Sequence, residues 1–362
     1  MAARTGECPG RGCEAAVTSR KNLPLPLREG AGGRGPCAPD PSPQPWSASR
    51  PKPTRGGGAE SRVKARIGDP TRDIVGQPEP IILPDPPALF TRRAARLEAL
   101  ADGHPMADWL RFIARVAHVQ AAIVMPAPIT PDLAAIERDV AARMPPLAAD
   151  GHARDAAWRD GLATLVSDVA HDALPLATLA TLDNVRVRAA AAVEALADAW
   201  LRGTMQASEA GAGFFVAAAL QVYFAHRAAA LPVAALRLLP QRGLCPVCGS
   251  APVAGVITAA GRAPGARYLH CGLCATAWNH VRAVCINCGD SRSLVLQELA
   301  GGNGAVKAET CDACHGYAKM LYQEQDMAVE AMADDLASLG LDIKVSEAGW
   351  SRHAPNPLIL AR

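Results

Sequence analysis

The sequence predicts an α+β protein: an N-terminal all-helical domain, then two tandem tetracysteine modules, then a C-terminal helix. Three observations carry that prediction. Alanine is abundant while aromatic residues make up only 4% of 362 residues, which favours helices, since alanine has the best helix propensity and β-rich folds lean on aromatic and β-branched side chains. From Pro87 to Leu231 apolar residues recur at helical spacing between proline boundaries. Eight of the eleven cysteines then form four Cys-x-x-Cys pairs, Cys245/Cys248, Cys271/Cys274, Cys285/Cys288 and Cys311/Cys314. Adding forty to each of the first four positions gives the last four, so one unit occurs twice as a tandem repeat.

Residues 1–70 hold eleven Pro and eleven Gly, too little apolar content to order a core, and read as a disordered extension, consistent with a start codon assigned too far upstream. Cys8, Cys13 and Cys37 fall there without partners at ligand spacing and receive no role. The segment has no apolar run of the secretory type and no twin-arginine pair before a hydrophobic run. Its net charge is +6 in a chain of +2, which leaves −4 for the rest. A mildly acidic body argues against nucleic acid as a partner, because phosphate binding needs a basic face.

The helical domain spans 71–240, opening with an extended lead-in from Pro78 to Pro87 that can lie against the body. Five or six helices fit. One begins near Asp102–Pro105 and carries Trp109, Phe112, Ile113, Val116, Val119, Ile123 and Val124 on one stripe, with Arg111, Arg115 and Gln120 on other faces. Further candidates are Pro131–Ala142, His152–Ala173, Asn184–Leu201 and Ala212–Ala230. The most apolar run, Gly211–Leu231, is interrupted by Gln221, His226 and Arg227 and reads as a buried bundle helix, not a membrane span. His104, His118, His152, His171 and His226 form no ligand pattern and read as solvated or core-edge histidines.

Residues 241–282 and 283–362 hold the two modules, each a small β-ribbon with β-prone runs such as Val253–Thr258 and Ser293–Leu299. Two thiolates three positions apart can face one ion, and four complete a tetrahedron, so all eight cysteines are candidate metal ligands. The fixed offset favours consecutive pairing, since a duplicated unit copies its whole site. Gly249 and Gly289 suit the knuckle turn, while Ala275 and His315 at the same places imply turns built differently. Tetrathiolate chemistry suits zinc and iron alike. A redox dithiol reading is poorer, for want of a βαβ context. His270, His280 and His315 take supporting or solvent-facing roles, and Trp278 and Tyr268 pack over the first metal loop. After Cys314 a helix is expected from Tyr317 to Leu339, ending at Gly340, then a β-prone segment Leu341–Val345 and a tail with Trp350, Arg352, His353 and Asn356-Pro357-Leu358.

With these residues named, the chain resembles the formate dehydrogenase accessory protein family, FdhE. The resemblance rests on Leu244-Cys-Pro-Val-Cys-Gly-Ser250, Arg267-Tyr-Leu-His-Cys-Gly-Leu-Cys274 leading to Trp278, Cys285-Ile-Asn-Cys-Gly289, and Ala308-Glu-Thr-Cys-Asp-Ala-Cys314 leading to Tyr317-Ala-Lys319. Asp334-Asp-Leu336 and the Asn356-Pro357 tail complete it, over roughly Ile81 to Leu360. It implies two rubredoxin-like modules behind a helical domain, holding two metal ions, with iron in the cell and zinc after aerobic handling. It also implies a cytoplasmic accessory factor, not an enzyme, that binds the catalytic subunit of molybdenum- or tungsten-dependent formate dehydrogenase. Self-association is compatible with it. A cleft between helical domain and ribbons is expected to hold the partner, with exposed Trp278, His280 and Tyr317 contributing. The competing classes are a zinc-ribbon nucleic-acid-binding protein, which needs Lys/Arg clustered at the knuckles where only Arg262, Arg267, Arg282, Arg292 and Lys307 are scattered, and a rubredoxin-type electron carrier.

Overall fold

The computed structural model describes residues 76–126, 132–170 and 174–359, all within one compact unit. The extension expected over 1–70, with its three cysteines, lies outside the described residues, as do Pro131 and His171. The chain enters through β1 (Ile81–Ile82) and turns into α1 (Pro86–Ala101), whose two leading prolines occupy first-turn positions where a missing N–H costs nothing. α1 buries Phe90, Ala94, Leu97 and Ala101 along one face, against α2 (Ala107–Ala122) with Leu110, Ile113, Val116 and Ala117. α3 (Leu133–Ala141) starts at Asp132, whose carboxylate accepts from the backbone N–H of Ala134 and Ala135. α4 (Ala157–Val169), α5 (Leu176–Arg186) and α6 (Ala190–Leu201) surround α7 (Ala210–Ala229), in which every residue from Ala212 to Ala225 is buried. A helix apolar all round belongs at the centre of a bundle, and α7 sits there.

Seven helices stand here among the described residues where five or six fit the sequence, and Val124 lies exposed beyond α2 instead of on its apolar stripe. Two further differences from expectation appear in this half. The single helix expected over Asn184–Leu201 is divided between α5 and α6, because Ala189 adopts an extended conformation with ψ 147° as the N-cap of α6. Arg188 helps hold that break, reaching back to Asn184 Oδ1 and across to Glu209. No Gly or Pro marks the position, so sequence punctuation does not reveal it. Gln120 is buried instead of lying off the apolar stripe, and donates to Ala218 O and to Gln221 Oε1.

The second half is one sheet rather than two free ribbons. β2 (Pro252–Ile257), β3 (Arg267–Cys271) and β4 (Ala277–His280) form an antiparallel meander. β5 (Leu294–Gln297), β6 (Val306–Cys311) and β7 (Gly316–Tyr322) repeat it. β2 then pairs with β7 in parallel, giving the order β1-β4-β3-β2-β7-β6-β5. The lead-in is a pairing strand, with β1 antiparallel to β4 and Asn279 N–H donating to Pro80 O. Gly255 stands at the junction opposite Met320, and a Cβ there would lie 2.5 Å from Met320 Sδ.

The helix expected from Tyr317 to Leu339 is absent. Its first part is β7, and its last part is α8 (Ala331–Ala337) followed by α9 (Leu339–Glu347), so Gly340 and the β-prone Leu341–Val345 are helical. β7 lies between two other strands and is buried on both faces, so its apolar residues run continuously instead of alternating. Such a run reads equally as a buried helix until its neighbours are known. β8 (Ser351–Arg352) closes the fold in parallel beside β7.

Helices and sheet share one hydrophobic core, in which the first four cysteines are themselves members. Largely buried ion pairs join α1 to the segment around α8, Arg93 with Glu330 at 3.2 Å and Arg96 with both Asp326 and Asp334 at 2.6 Å. The seam expected to open as a partner cleft is packed at these points. Because Gly255 leaves no space at the β2–β7 junction, Gly255→Val is expected to lower stability by more than about 2 kcal/mol through overpacking. Urea unfolding of the variant checks this, and an unchanged midpoint would show that the junction is not tight.

Candidate metal centres

The first quartet is assembled from two similar turns. At Cys245–Cys248 the Cys245 N–H donates to Ser250 O and the Gly249 N–H returns to Cys245 O, both at 2.9 Å, with Gly249 at φ 77°. At Cys271–Cys274 the N–H groups of Leu273 and Cys274 point at Cys271 Sγ, 3.3 and 3.4 Å away. Ala275 follows at φ 58°. The second quartet repeats this plan: Cys285 N–H donates to Asp290 O at 2.7 Å, Gly289 lies at φ 79°, and His315 at φ 52°. The turns expected to differ are therefore alike. Ala275 and His315 take the left-handed conformation at about 1 kcal/mol or more, where glycine takes it freely.

Sulfur geometry fits a tetrahedral ion. Cys245 and Cys274 Sγ are 3.5 Å apart and Cys248 and Cys271 Sγ 3.4 Å, while the second quartet shows 3.8 Å for Cys285–Cys314 and 3.7 Å for Cys288–Cys311. Four sulfurs about 2.3 Å from one ion stand about 3.8 Å from each other. Disulfides need about 2.05 Å. Within each quartet all sulfurs lie within 4.8 Å, and these are the two such groups among the described residues. Pairing is consecutive, as the fixed offset implies.

The donor set also fits electrostatically. Burial pushes the Cys245 and Cys274 thiols well above their usual range, and Cys285 up to about 12. Cys248 moves the other way: burial opposes its ionisation, but hydrogen bonds from Cys245, Cys271, Cys274 and Ser250 favour the thiolate. One thiolate stabilised by protonated neighbours is a site that gives up protons when a cation enters.

The surroundings of the two quartets are not alike. Around the first, Leu147 N–H donates to Val247 O at 2.8 Å and Ala149 N–H to Cys248 O at 2.9 Å. Gln221 in the central helix α7 donates from Nε2 to Gly272 O at 2.7 Å. A Cβ on Gly272 would stand 2.9 Å from Pro357 of the tail, and one on Gly249 would stand 3.2 Å from Pro145. All four cysteines are buried. In the second quartet Cys285 and Cys311 are buried, Cys314 is half-buried and Cys288 is exposed. Gly289 there has nothing within 4 Å of a Cβ.

The whole arrangement, helical bundle before two fused four-cysteine ribbons, is that of known proteins. Family models described as FdhE, N-terminal, FdhE, central domain, and FdhE, C-terminal domain match residues 78–240, 244–282 and 283–359. The chain belongs to the FdhE family. It is 42% identical over 299 residues to the FdhE homolog of Edwardsiella ictaluri, covering 82% of this chain and 95% of that one. FdhE of Escherichia coli strain K12 is 38% identical over 282 residues, covering 77% and 91%. The crystal structure of FdhE from Pseudomonas aeruginosa superposes with a TM-score of 0.70 at 37% identity, covering 78% of this chain and 99% of that one.

In this FdhE-family chain four of the residues behind the resemblance, Tyr317, Lys319, Asp335 and Asn356, join Asp342 and Arg352 in a buried ion network. Lys319 of β7, fully buried, pairs with Asp335 at 3.3 Å and Asp342 at 2.5 Å. Arg352 joins both aspartates, Tyr317 Oη donates to Asp342 at 2.8 Å, and Asn356 Nδ2 donates to Asp335 at 2.9 Å. Two cations balance two carboxylates, so the cluster pins α8, α9, β8 and the tail onto β7. Sequence reasoning did not find it; the available signal was a lysine and paired aspartates inside apolar runs.

Several singled-out side chains take places other than those expected. Trp278, His280 and Tyr317 are buried, at 0, 7 and 2% exposure, so they cannot form the partner-contact surface assigned to them. Trp278 donates from Nε1 to Arg242 O, under the loop leading into Cys245. His280 Nδ1 faces the Arg267 guanidinium at 2.7 Å, and His315 is exposed. Tyr268 is buried on β3.

Substitution should separate the two knuckles. Gly289→Ala is expected to lower stability by about 1 kcal/mol through backbone strain alone, and Gly249→Ala by more, since Pro145 adds a steric clash. Urea midpoints of the two variants compare them directly. Gln221→Leu is expected to lower stability by about 1–3 kcal/mol, because it leaves Gly272 O buried without a donor.

Proposed function

We propose that the chain is an accessory factor for maturation or activation of molybdenum- or tungsten-dependent formate dehydrogenase, binding that enzyme's catalytic subunit. It acts as a scaffold and not as an enzyme. Cys245, Cys248, Cys271 and Cys274 hold one metal ion, and Cys285, Cys288, Cys311 and Cys314 hold a second. The observation that carries this reading is membership of the FdhE family along nearly the whole length of its relatives, 95% and 91% of the two compared sequences. Iron is the ion proposed for the cell, with zinc chemically acceptable, since a thiolate tetrahedron suits both. A cytoplasmic location goes with that role, and no described helix is long and apolar enough to cross a membrane.

The ions supply folding energy, because each ribbon is too small to bury a core unaided and metal binding is coupled to folding. An electron-carrier reading draws on one observation, the exposure of Cys288, which brings the second centre near solvent. Anaerobic purification of the tagged chain from cells making formate dehydrogenase is expected to yield two metal equivalents per chain and to retain the catalytic subunit. Loss of formate dehydrogenase activity in cells lacking the chain is the matching result. Unchanged activity without it, or no retained subunit, overturns the accessory role; a reversible ferric-thiolate absorption with no retained subunit selects the carrier.

A further inference from the structure

The forty-residue repeat writes the same ligand set twice, yet the fold treats the copies differently. Position by position the contrast is sharp at the glycine after each leading knuckle. Beyond Gly249 lies Pro145 of the helical half, and beyond Gly289 lies open space. Backbone N–H groups from the same helical-half loop, at Leu147 and Ala149, are bonded to the carbonyls of Val247 and Cys248. Pro357 of the tail closes over Gly272 in the other knuckle. The first quartet, all four of whose cysteines are buried, is thus packed against the 145–149 loop and the tail.

The second quartet instead borders a cavity of about 700 Å³. Its walls include Arg242, Val281, Asn287 and His353, and both Cys285 and Cys288 line it. Cys288 is exposed, so one ligand position of the tetrahedron faces open volume. On the same wall stands His353, whose ring packs against the Gly243 backbone. A Cβ on Gly243 would lie 2.0 Å from Ile286 O, so the loop before Cys245 runs close against the second knuckle.

We propose that the second centre is an exchangeable metal site, open through this cavity to a small soft-donor ligand, a thiol or a nitrogen chelator, while the first centre is inert. The inference rests on the reading that each quartet holds one ion. In the exchange step the incoming donor forms a bond to the metal with its own lone pair. The bond to Cys288 Sγ would break with its electron pair remaining on sulfur, which leaves as the thiolate. Metal oxidation state does not change. Repetition of the step at the remaining sulfurs frees the ion. At the first centre, whose four cysteines are buried among the described residues, the rate of the same step is set by opening of the surrounding core.

The test uses the full chain loaded with zinc, whose content is first measured as two equivalents. Mixed with excess 4-(2-pyridylazo)resorcinol, a chromogenic nitrogen chelator, it is expected to release one equivalent rapidly and the other at least tenfold more slowly. Alkylation during the fast phase, mapped by mass spectrometry, should mark Cys285, Cys288, Cys311 and Cys314 before the first four. Val281→Trp, which narrows the cavity at an exposed position, should slow the fast phase several-fold and leave the slow phase unchanged. Release of both ions at one rate, or earlier labelling of Cys245, Cys248, Cys271 and Cys274, overturns the proposal. A zinc content near zero overturns instead the metal-site reading beneath it.

Discussion

Everything in the fold turns on the place where the loop at Pro145–Ala149, the central helix α7 and the C-terminal tail meet the first four cysteines. Leu147 and Ala149 donate to that knuckle, Gln221 donates to Gly272 O, and Pro357 lies against Gly272. Three segments distant in sequence therefore share one small cluster of sulfurs as their common neighbour. A ribbon of this size does not bury a core of its own. Here it borrows one, and the cysteines are counted within the same hydrophobic core as the helical bundle. The packing of that quartet is consequently part of the packing of the whole body.

The second module is attached by different means. Its β7 joins the sheet beside β2 at Gly255, where the absence of a side chain lets Met320 approach. Behind β7, Lys319 and Arg352 are matched by Asp335 and Asp342 in a closed buried network. Such pairs add little net stability over an apolar core, but breaking one leaves a buried charge costing about 3–5 kcal/mol. They serve to fix where α8 and α9 sit. The cysteine quartet of this module borders the cavity through Cys285 and Cys288, while Cys314 leads directly into β7 beside β8.

A duplicated motif thus yields two centres with one coordination chemistry and two environments. Protein-wide packing falls on the first copy because it follows the helical bundle directly and inherits its loop contacts. The second copy has no further bundle to cover Gly289 and Cys288. Asymmetry of this kind follows from position in the chain, not from any change in ligand residues.

What the sequence by itself determined is the local chemistry: the helical character of residues 87–231, the grouping of eight cysteines into two consecutive quartets, the left-handed glycines at 249 and 289, and the family resemblance. These depend on spacing and composition within a few residues of each other. The tertiary structure decided the rest. Tyr317–Tyr322 became a strand because β2 and β6 flank it, and an apolar run carries no mark of its neighbours. Trp278, His280 and Tyr317 were buried by segments far along the chain, reversing the surface role read from their closeness to the knuckles. Gln221, an interruption in an apolar helix when read alone, became the hook between α7 and the first quartet. Burial and hydrogen-bond partners are set by contacts between distant segments, and no local window of sequence contains them.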